Sequence, residues 1–323
     1  MSGPPAFGVV GLGRMGGGLA RQGLEKGLRV AGASRSGPPD DLLEAGLVDV
    51  GDPAGFRDAL AAPRIVFISV PAGAAVDKMV DALAEALDPG DVIADGANSY
   101  WGDSVRRHQR LAGTGIGFVD LGVSGGVDGA REGACFMAGG EDAPVAALMP
   151  VLEALSVPGG AAHVGPPGGG HFAKLVHNGI EFGMMQAIGE GVDLLSRFEG
   201  GLDVGAALEV WRHGSVIRSW LIDLLAEAWA REGGLDAVPS HVEDTGEVSW
   251  LLADALMMER PTPAITAAAQ ALFASRDGDA TRMKAVAAMR RRFGGHPYGP
   301  DADVAMERRT SRVGPFGRAP EDG

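Results

Sequence analysis

A short stretch of the sequence carries four polar side chains whose types and spacing could perform acid–base chemistry. Lys174, His177, Asn178 and Glu181 lie within an otherwise strongly apolar run. In an α-helix, positions 174 and 181 are nearly two turns apart, so their side chains share a face about 10 Å apart. Polar groups on an apolar helix must be paired with one another or must face a site. The stripe is therefore either a structural Lys–Glu network bridged by the histidine, or a catalytic base and acid.

A glycine-rich motif near the start of the chain is typical of a dinucleotide site. It consists of Gly11, Leu12, Gly13, Arg14, Met15 and Gly16. The motif follows an apolar run, Phe7 to Val10, and opens an amphipathic segment, which is the strand–turn–helix context that such a site needs. The first glycine makes the tight turn, the second admits the pyrophosphate and the third lets helix and strand pack together. The free N–H groups at the helix start then bind the phosphates. A glycine-rich turn without a ligand is the alternative.

The residues after the second expected strand indicate which dinucleotide is bound. An NAD enzyme is expected to carry an acidic residue there for the ribose 2′-hydroxyl, about 20 residues after the motif. This chain instead has Ser34, Arg35 and Ser36. A guanidinium flanked by two hydroxyls suits a 2′-phosphate, so we expect NADP, with NAD possible. A solvated loop arginine is the alternative interpretation of Arg35.

The elements that must position these residues fall into two classes along the chain. Short apolar runs at 7–10, 28–31, 64–70, 91–95, 116–120 and 134–138 alternate with helical patterns, which predicts a parallel sheet covered on both faces. After the breaker cluster at 165–170 only helical patterns follow, at 171–197, 204–211, 219–231, 247–259, 264–275 and 280–293. The expected fold is an α/β Rossmann-type domain over 1–165 and an all-α domain over 166–296, which would carry the substrate and dimerisation surfaces. The polar segment 297–323 is expected to be disordered.

Composition excludes several classes of function. The chain has 323 residues and a formal net charge of −14, which disfavours nucleic acids and anionic membranes as partners. It contains 52 glycines without a collagen period, and one cysteine, so an intrachain disulfide is excluded. We therefore expect a cytoplasmic protein. The histidines outside the polar stripe form no cluster, so no metal site is expected, and Met184 and Met185 are expected in the core.

The polar stripe, written Lys174-Leu-Val-His177-Asn178-Gly-Ile-Glu181, resembles the signature of the decarboxylating 6-phosphogluconate dehydrogenases. Further motifs resemble this family in the same order, namely the glycine motif at 11–16, Asp-Gly-Ala-Asn-Ser at 95–99, Val-Ser-Gly-Gly at 123–126 and Arg-Arg-Arg-Phe-Gly-Gly-His at 290–296. The resemblance runs from residue 7 to about 297. The short helical half points to the short-chain branch of the family.

The resemblance implies a role for each matching residue. Lys174 would be the base that takes a proton from the substrate 3-hydroxyl, and Glu181 the acid that protonates C1 of the enediol. The implied substrate-binding residues are Asn98, Ser124, Gly125, Gly126, His177, Asn178, Arg276, Arg290 and His296. The implied cofactor contacts, beyond the glycine motif and residues 34–36, are Val70, Pro71, Ala72 and Asn98. The substrate would be a phosphorylated sugar acid. The protein would be a homodimer or homotetramer, because the histidine that His296 resembles comes from the partner subunit in long-chain members.

Three departures from the family pattern concern the sugar tail. Phe182 stands where the family has tyrosine, Ser249 where it has a basic residue before tryptophan, and Asp128 where it has an aromatic residue. They leave fewer cations and one more anion there, which implies weakened phosphate binding or a different aldonate. The alternative is a β-hydroxyacid dehydrogenase of the same superfamily, acting on a non-phosphorylated hydroxy acid. A non-catalytic NADPH-binding protein would require the loss of Lys174 or Glu181, and both are present.

Overall fold

A single eight-stranded sheet organises the first half of the chain in the computed structural model, which describes residues 5–294 and 297–310. The strand order is β3-β2-β1-β4-β5-β6-β7-β8, and every neighbouring pair is parallel except β6 and β7. The strands are β1 (Ala6–Val10), β2 (Arg29–Ala33), β3 (Val48–Asp49), β4 (Ile65–Ile68), β5 (Val92–Asp95), β6 (Gly117–Ser124), β7 (Ala134–Gly140) and β8 (Ser156–Gly165). Helices follow the strands and then continue alone.

The helices account for all regular structure that is described after β8. They are α1 (Arg14–Glu25), α2 (Asp40–Glu44), α3 (Phe56–Ala59), α4 (Ala74–Ala86), α5 (Trp101–Leu111), α6 (Gly126–Glu132), α7 (Asp142–Leu155), α8 (Gly169–Ser196), α9 (Val204–Trp211), α10 (Trp220–Glu232), α11 (Glu247–Met257), α12 (Pro263–Arg276), α13 (Thr281–Gly294) and α14 (Ala302–Thr310). A 3-10 turn, Pro53–Gly55, precedes α3. The predicted fold class, a Rossmann-type α/β domain followed by an all-α region, is confirmed.

The sheet is covered on both faces, as its unalternating apolar strands predict. Neighbouring residues of one strand belong to different cores, because successive side chains point to opposite faces. Phe67 packs in the cluster that contains residues of α1 and α7, whereas Val66 and Ile68 pack in the cluster that contains residues of α4 and α5. The carboxyl ends of the parallel strands are left open for loops, where ligands bind in such folds.

The long helix α8 lies unusually close to the sheet. A Cβ built on Gly122 of β6 would lie 2.6 Å from the Lys174 Cβ and 2.7 Å from the Gly170 carbonyl oxygen. A Cβ on Gly170 would in turn lie 2.3 Å from the Asp120 carbonyl oxygen. Only glycine permits such backbone approach. The buried Asp120 carboxylate then fixes the start of α8, because it accepts hydrogen bonds from the N–H groups of Gly168 at 2.6 Å and His171 at 2.8 Å.

A second attachment joins the helical region to the loop after β5. Asp254 of α11 accepts hydrogen bonds from the Tyr100 hydroxyl at 2.9 Å and from the Trp101 Nε1–H at 2.7 Å. Helix α11 also packs against α8, since a Cβ on Gly179 would lie 2.2 Å from Leu251. These contacts belong to a compact unit formed by the described residues of Met1–Ala237 together with Asp244–Ala269. A second unit comprises Val238–Glu243 and the described residues of Gln270–Gly323.

Three expectations from the sequence are corrected here. Strand β8 was not predicted, because its Pro158 and glycines break the pattern, but an edge strand tolerates them. Helix α14 forms within the segment expected to be disordered, and Asp301 caps it by accepting a hydrogen bond from the Val304 N–H at 3.0 Å. Met184 and Met185 are not in the core, since they are 40% and 38% exposed, and Met184 lines a cleft beside α8.

Candidate active site

The polar stripe on α8 forms a connected series of contacts that reaches the end of β6. Lys174, which is 8% exposed, has its Nζ 3.3 Å from His177 Nδ1. The other ring nitrogen, Nε2, lies 3.0 Å from the Ser124 hydroxyl oxygen. His177 Nδ1 is also 3.2 Å from the Asn178 amide oxygen and 3.6 Å from a Glu181 carboxylate oxygen. The histidine therefore lies at the centre of the stripe, between the lysine and the glutamate.

Burial changes the proton affinity of the lysine. Desolvation lowers the pKa of Lys174 below its ordinary value, and the negative charges of Glu181 and Glu247 oppose this without reversing it. None of the ion pairs among the described residues joins Lys174 to Glu181 directly. The contacts therefore differ from a closed Lys–Glu pair, and the neutral form of the lysine is less disfavoured here than in water.

The stripe opens into a cleft of about 830 Å³. The side chains and loops that the sequence predicted for the substrate meet there, namely Asn98, Ser124, Gly125, Gly126, Lys174, His177, Asn178 and Glu181. The far wall was not predicted and carries Ser219, Trp220, Asp244, Thr245 and Glu247. The hydroxyl of Thr245 donates a hydrogen bond to Glu247 at 2.6 Å. The sequence did offer one signal for this wall: Glu247 lies two residues before Ser249, where the chain departs from the family pattern.

The loops at the ends of β5 and β6 are held by their own backbone contacts. Asn98 has φ of 50°, and its side-chain amide forms two hydrogen bonds with the backbone of Val123, donating to the carbonyl oxygen at 3.2 Å and accepting from the N–H at 2.9 Å. These bonds fix which face of the amide is directed to the cleft. Ser124 ends β6, and Gly125 follows with φ of 120°.

The glycine motif at residues 11–16 has the geometry that a dinucleotide requires. Gly11 has φ of 94° and its N–H donates to the Ala33 carbonyl oxygen at 2.9 Å, which places the loop after β1 beside the loop after β2. A Cβ on Gly16 would lie 2.0 Å from the Gly11 carbonyl oxygen, whereas the exposed Gly13 has open space around it. No side chain caps the start of α1 at Gly13, so the first N–H groups of that helix are available to phosphate oxygens.

A cavity of about 280 Å³ continues from this motif toward Asn98. Of the predicted cofactor contacts, Gly13, Arg14, Met15, Val70, Pro71 and Asn98 line it. Leu12 packs in the core, so only its backbone belongs to the loop, and Ala72 is exposed outside the lining. Ser34 and Ser36 have their hydroxyl oxygens 3.5 Å apart, and Arg35 between them is exposed. Met15 and Asn98 also line the larger cleft, so the two spaces adjoin.

Two of the residues predicted to bind a phosphate, Arg276 and Arg290, lie in the second unit. The Arg276 guanidinium donates a hydrogen bond to Glu243 at 3.2 Å and lies 5.7 Å from the centre of the Phe273 ring. Arg290 is exposed on α13. His296 lies outside the described residues. The described part of the chain contains no group of three metal-ligating side chains, and none of its helices is long and apolar enough to cross a membrane.

Two sequence models of protein families match the chain, and together they cover most of it. Residues 6–165 match the NAD binding domain of 6-phosphogluconate dehydrogenase, and residues 170–306 match the 6-phosphogluconate dehydrogenase C-terminal domain. The chain belongs to the 6-phosphogluconate dehydrogenase family. It is accordingly an NAD(P)-dependent oxidoreductase, as the sequence predicted.

Individual relatives agree with this family assignment. A Haloferax volcanii NAD(+)-dependent, decarboxylating 6-phosphogluconate dehydrogenase is 37% identical over 293 residues, which cover 90% of this chain and 97% of the relative. The Plasmodium falciparum 6-phosphogluconate dehydrogenase, studied with NADP+ and with 6-phosphogluconate, superposes with a TM-score of 0.76 at 26% identity, over 92% of this chain and 67% of that one. A Mycobacterium tuberculosis 3-hydroxyisobutyrate dehydrogenase shares the fold, with a TM-score of 0.68 at 21% identity over 86% of this chain and 95% of that one.

Proposed function

We propose that the protein catalyses the NADP-dependent oxidative decarboxylation of 6-phosphogluconate to ribulose 5-phosphate and carbon dioxide. The observation that carries the proposal is the stripe on α8, in which a buried lysine and a glutamate flank His177 in the cleft that adjoins the dinucleotide loop. Family membership supports it, because the stripe lies within residues 170–306, which match the C-terminal domain of this family. The alternative of a purely structural network does not account for a cleft at this place.

The chemistry needs a base and an acid that act on adjacent carbons. NADP+, held by the glycine motif and residues 34–36, would supply the acceptor for the hydride from C3. Lys174 in its neutral form takes the proton of the 3-hydroxyl, a task that its lowered pKa favours. The product is a 3-keto acid, whose carboxylate leaves as carbon dioxide while protonated Lys174 polarises the ketone oxygen. Glu181 then donates a proton to C1 of the resulting enediol, which gives the ketose.

The remaining predicted contacts belong to the same proposal. Ser124, Gly125 and Gly126 would hold the substrate carboxylate, whereas Asn98, His177 and Asn178 would hold hydroxyls or the nicotinamide region. The phosphate is assigned to Arg276, Arg290 and His296, as the resemblance implies. The two ring nitrogens of His177 contact Ser124 and Lys174, which places the imidazole between the proposed carboxylate loop and the proposed base.

Selection of NADP over NAD is assigned to Arg35. The loop after β2 presents this exposed guanidinium between two serines, with no carboxylate in residues 34–36. A guanidinium binds phosphate oxygens strongly, whereas a ribose diol is better held by a carboxylate.

Assembly into a homodimer or homotetramer is part of the proposal. Helix α8 carries Ile180, Met184 and Met185 at 52%, 40% and 38% exposure, and the first two also line the rim of the larger cleft. Contiguous exposed apolar side chains on one helix mark an interaction surface more often than a free one.

A second candidate is a β-hydroxyacid dehydrogenase that acts on a non-phosphorylated acid. One observation favours it. Among the described residues that line the larger cleft, Lys174 is the one lysine or arginine, whereas Glu181, Asp244 and Glu247 are acidic. An acidic wall suits hydroxyls better than a phosphate.

The test is a turnover assay on the purified full chain with three acids, 6-phosphogluconate, gluconate and 3-hydroxyisobutyrate, each with NADP and with NAD. We expect NADPH absorbance and carbon dioxide release with 6-phosphogluconate above all. Oxidation of 3-hydroxyisobutyrate without carbon dioxide release from either aldonate would establish the second candidate instead. Equal turnover with NAD and NADP would refute the role of Arg35.

A further inference from the structure

Arg107 is a completely buried arginine beneath the cofactor loops, and none of the predicted roles includes it. It lies on α5 with its side chain 0% exposed, and it is among the largest fully buried side chains in the described chain. Burying a guanidinium is costly unless every donor finds an acceptor. The hydrogen-bond acceptors of Arg107 therefore indicate its role.

Its three acceptors belong to different segments of the chain. Nη1 donates to Asp95 Oδ2 at 3.1 Å, at the end of β5. Nη2 donates to the Gly73 carbonyl oxygen at 3.2 Å, at the end of the turn between β4 and α4. Nε donates to Asp77 Oδ1 at 2.9 Å, in the first turn of α4. One planar group thus joins the loop after β4 to the loop after β5.

Asp95 extends the same network to both sides of Asn98. Its Oδ1 accepts the Ala97 N–H at 3.1 Å, and its Oδ2 accepts the Ser99 hydroxyl at 2.9 Å. Asp95 is itself 0% exposed. The backbone on either side of Asn98 is therefore tied, through one carboxylate, to the guanidinium that also holds the end of the 69–73 turn.

We propose that Arg107 and Asp95 are positioning residues that set the separation of the two loops around the nicotinamide half of the cofactor. The inference rests on the proposed function, because it takes the 280 Å³ cavity as the nicotinamide site. That cavity is lined by Val70 and Pro71 on one side and by Ala97 and Asn98 on the other. A fixed separation keeps the hydride acceptor at one distance from the substrate carbon beside Lys174.

Stability alone does not explain the pair. Replacing a buried ion pair by neutral groups of similar size is often neutral or stabilising, whereas the fork geometry of arginine fixes the directions of its bonds. The pyrophosphate is assigned to the glycine motif and the 2′-phosphate of the adenosine half to residues 34–36, and none of the hydrogen bonds described for Arg107 or Asp95 reaches those loops. The two halves of the cofactor should therefore respond differently when the pair is removed.

The experiment compares the double variant Arg107→Met/Asp95→Asn with the matched control Arg106→Met. The double variant leaves no unpaired charge between the two positions, which protects folding. Arg106 is the exposed neighbour, and it also contacts Asp77, at 3.1 Å, but it does not contact Asp95. Loss of an Asp77 contact is thereby common to both proteins. Calorimetry measures the Kd of NADP and of adenosine 2′,5′-bisphosphate, which occupies the adenosine half only, and steady-state kinetics measure kcat and KM.

We expect the double variant to bind the bisphosphate within about twofold of the wild-type Kd, and NADP at least about fivefold more weakly. Its kcat should fall by about tenfold to a hundredfold, because the reacting groups are misplaced. The control should match the wild type in both ligands and in kcat. The proposal is overturned if the folded double variant matches the control, or if both ligands lose affinity equally. If the wild type turns over no acid, the proposed function fails, while the two Kd values still decide the role of the pair.

Discussion

Because α8 lies so close to the sheet, a substitution at Gly122 should displace the candidate base, Lys174, without changing that residue itself. In Gly122→Ala the new methyl group would lie 2.6 Å from the Lys174 Cβ and 2.7 Å from the Gly170 carbonyl oxygen. Both atoms belong to α8, and one of them is backbone, so a rotamer change of a flexible side chain cannot relieve the overlap. The helix itself must move away from β6.

The size of that movement follows from the contact distances. Ordinary van der Waals contact begins at 3.4 Å, so the Lys174 Cβ must retreat by about 0.8 Å. Overpacking of this kind typically costs about 1–3 kcal/mol of folding free energy. A displacement of about 1 Å at a catalytic group can lower the rate a hundredfold, so we expect kcat/KM to fall by about tenfold to a hundredfold.

The assay measures kcat/KM with 6-phosphogluconate and NADP, together with the free energy of unfolding in urea. Gly189→Ala is the matched control, because Gly189 is an exposed residue of the same helix and a Cβ there meets nothing within 4 Å. The control should keep its turnover and gain about 0.5–1 kcal/mol, since alanine favours a helix over glycine. A folded Gly122→Ala protein with wild-type kcat/KM would refute the argument that this contact sets the position of Lys174.

Two further predictions concern the charge of Lys174 and the surface of α8. Because burial lowers the pKa of Lys174, the unfolded chain binds the proton of this lysine more tightly than the folded chain does. The resulting loss of folding free energy is complete at pH values below the folded pKa and vanishes above the ordinary pKa of about 10.4. Lys174→Met should therefore lose turnover, retain NADPH binding and exceed the wild type in stability at pH 7, by about 1.4 kcal/mol for each tenfold loss of proton affinity on folding. The excess should shrink toward pH 10 in urea titrations, and a lower stability at pH 7 would contradict this reasoning. Light scattering should give a mass of two or four chains, and Met185→Glu, at an exposed position outside the cleft lining, should reduce it. A monomeric wild type would contradict the assembly proposal.

Much of the fold could be predicted because its helices and inner strands carry strong local patterns. The helix predicted at 204–211 has those same bounds in α9, and the pattern at 171–197 differs from α8 by no more than two residues at either end. Strand β8 was not predicted because its sequence contains Pro158 and adjacent glycines, which have low strand propensity. Its pairing with β7 stabilises the strand instead.

The candidate site could be predicted only where its residues are close in sequence. Lys174 and Glu181 share one helix, so their spacing fixes their face. Arg107 and Asp95 lie on different elements, and nothing local distinguishes Arg107 from the exposed Arg106 beside it. Glu247 reaches the cleft only through the packing of α11 against α8, which is a tertiary contact.

The proton affinity of Lys174 depends on two glycines that let α8 pack closely on the sheet. The carboxylates of Glu181 and Glu247 favour the charged amine, so neighbouring charge alone would make this lysine a poor base at neutral pH. Burial outweighs them, and that burial exists because Gly122 and Gly170 let α8 lie directly on the sheet. A larger residue at either position would lift the helix, admit water around the amine and raise its pKa toward the ordinary value. These two glycines therefore contribute to the base through packing, although neither is expected to touch the substrate.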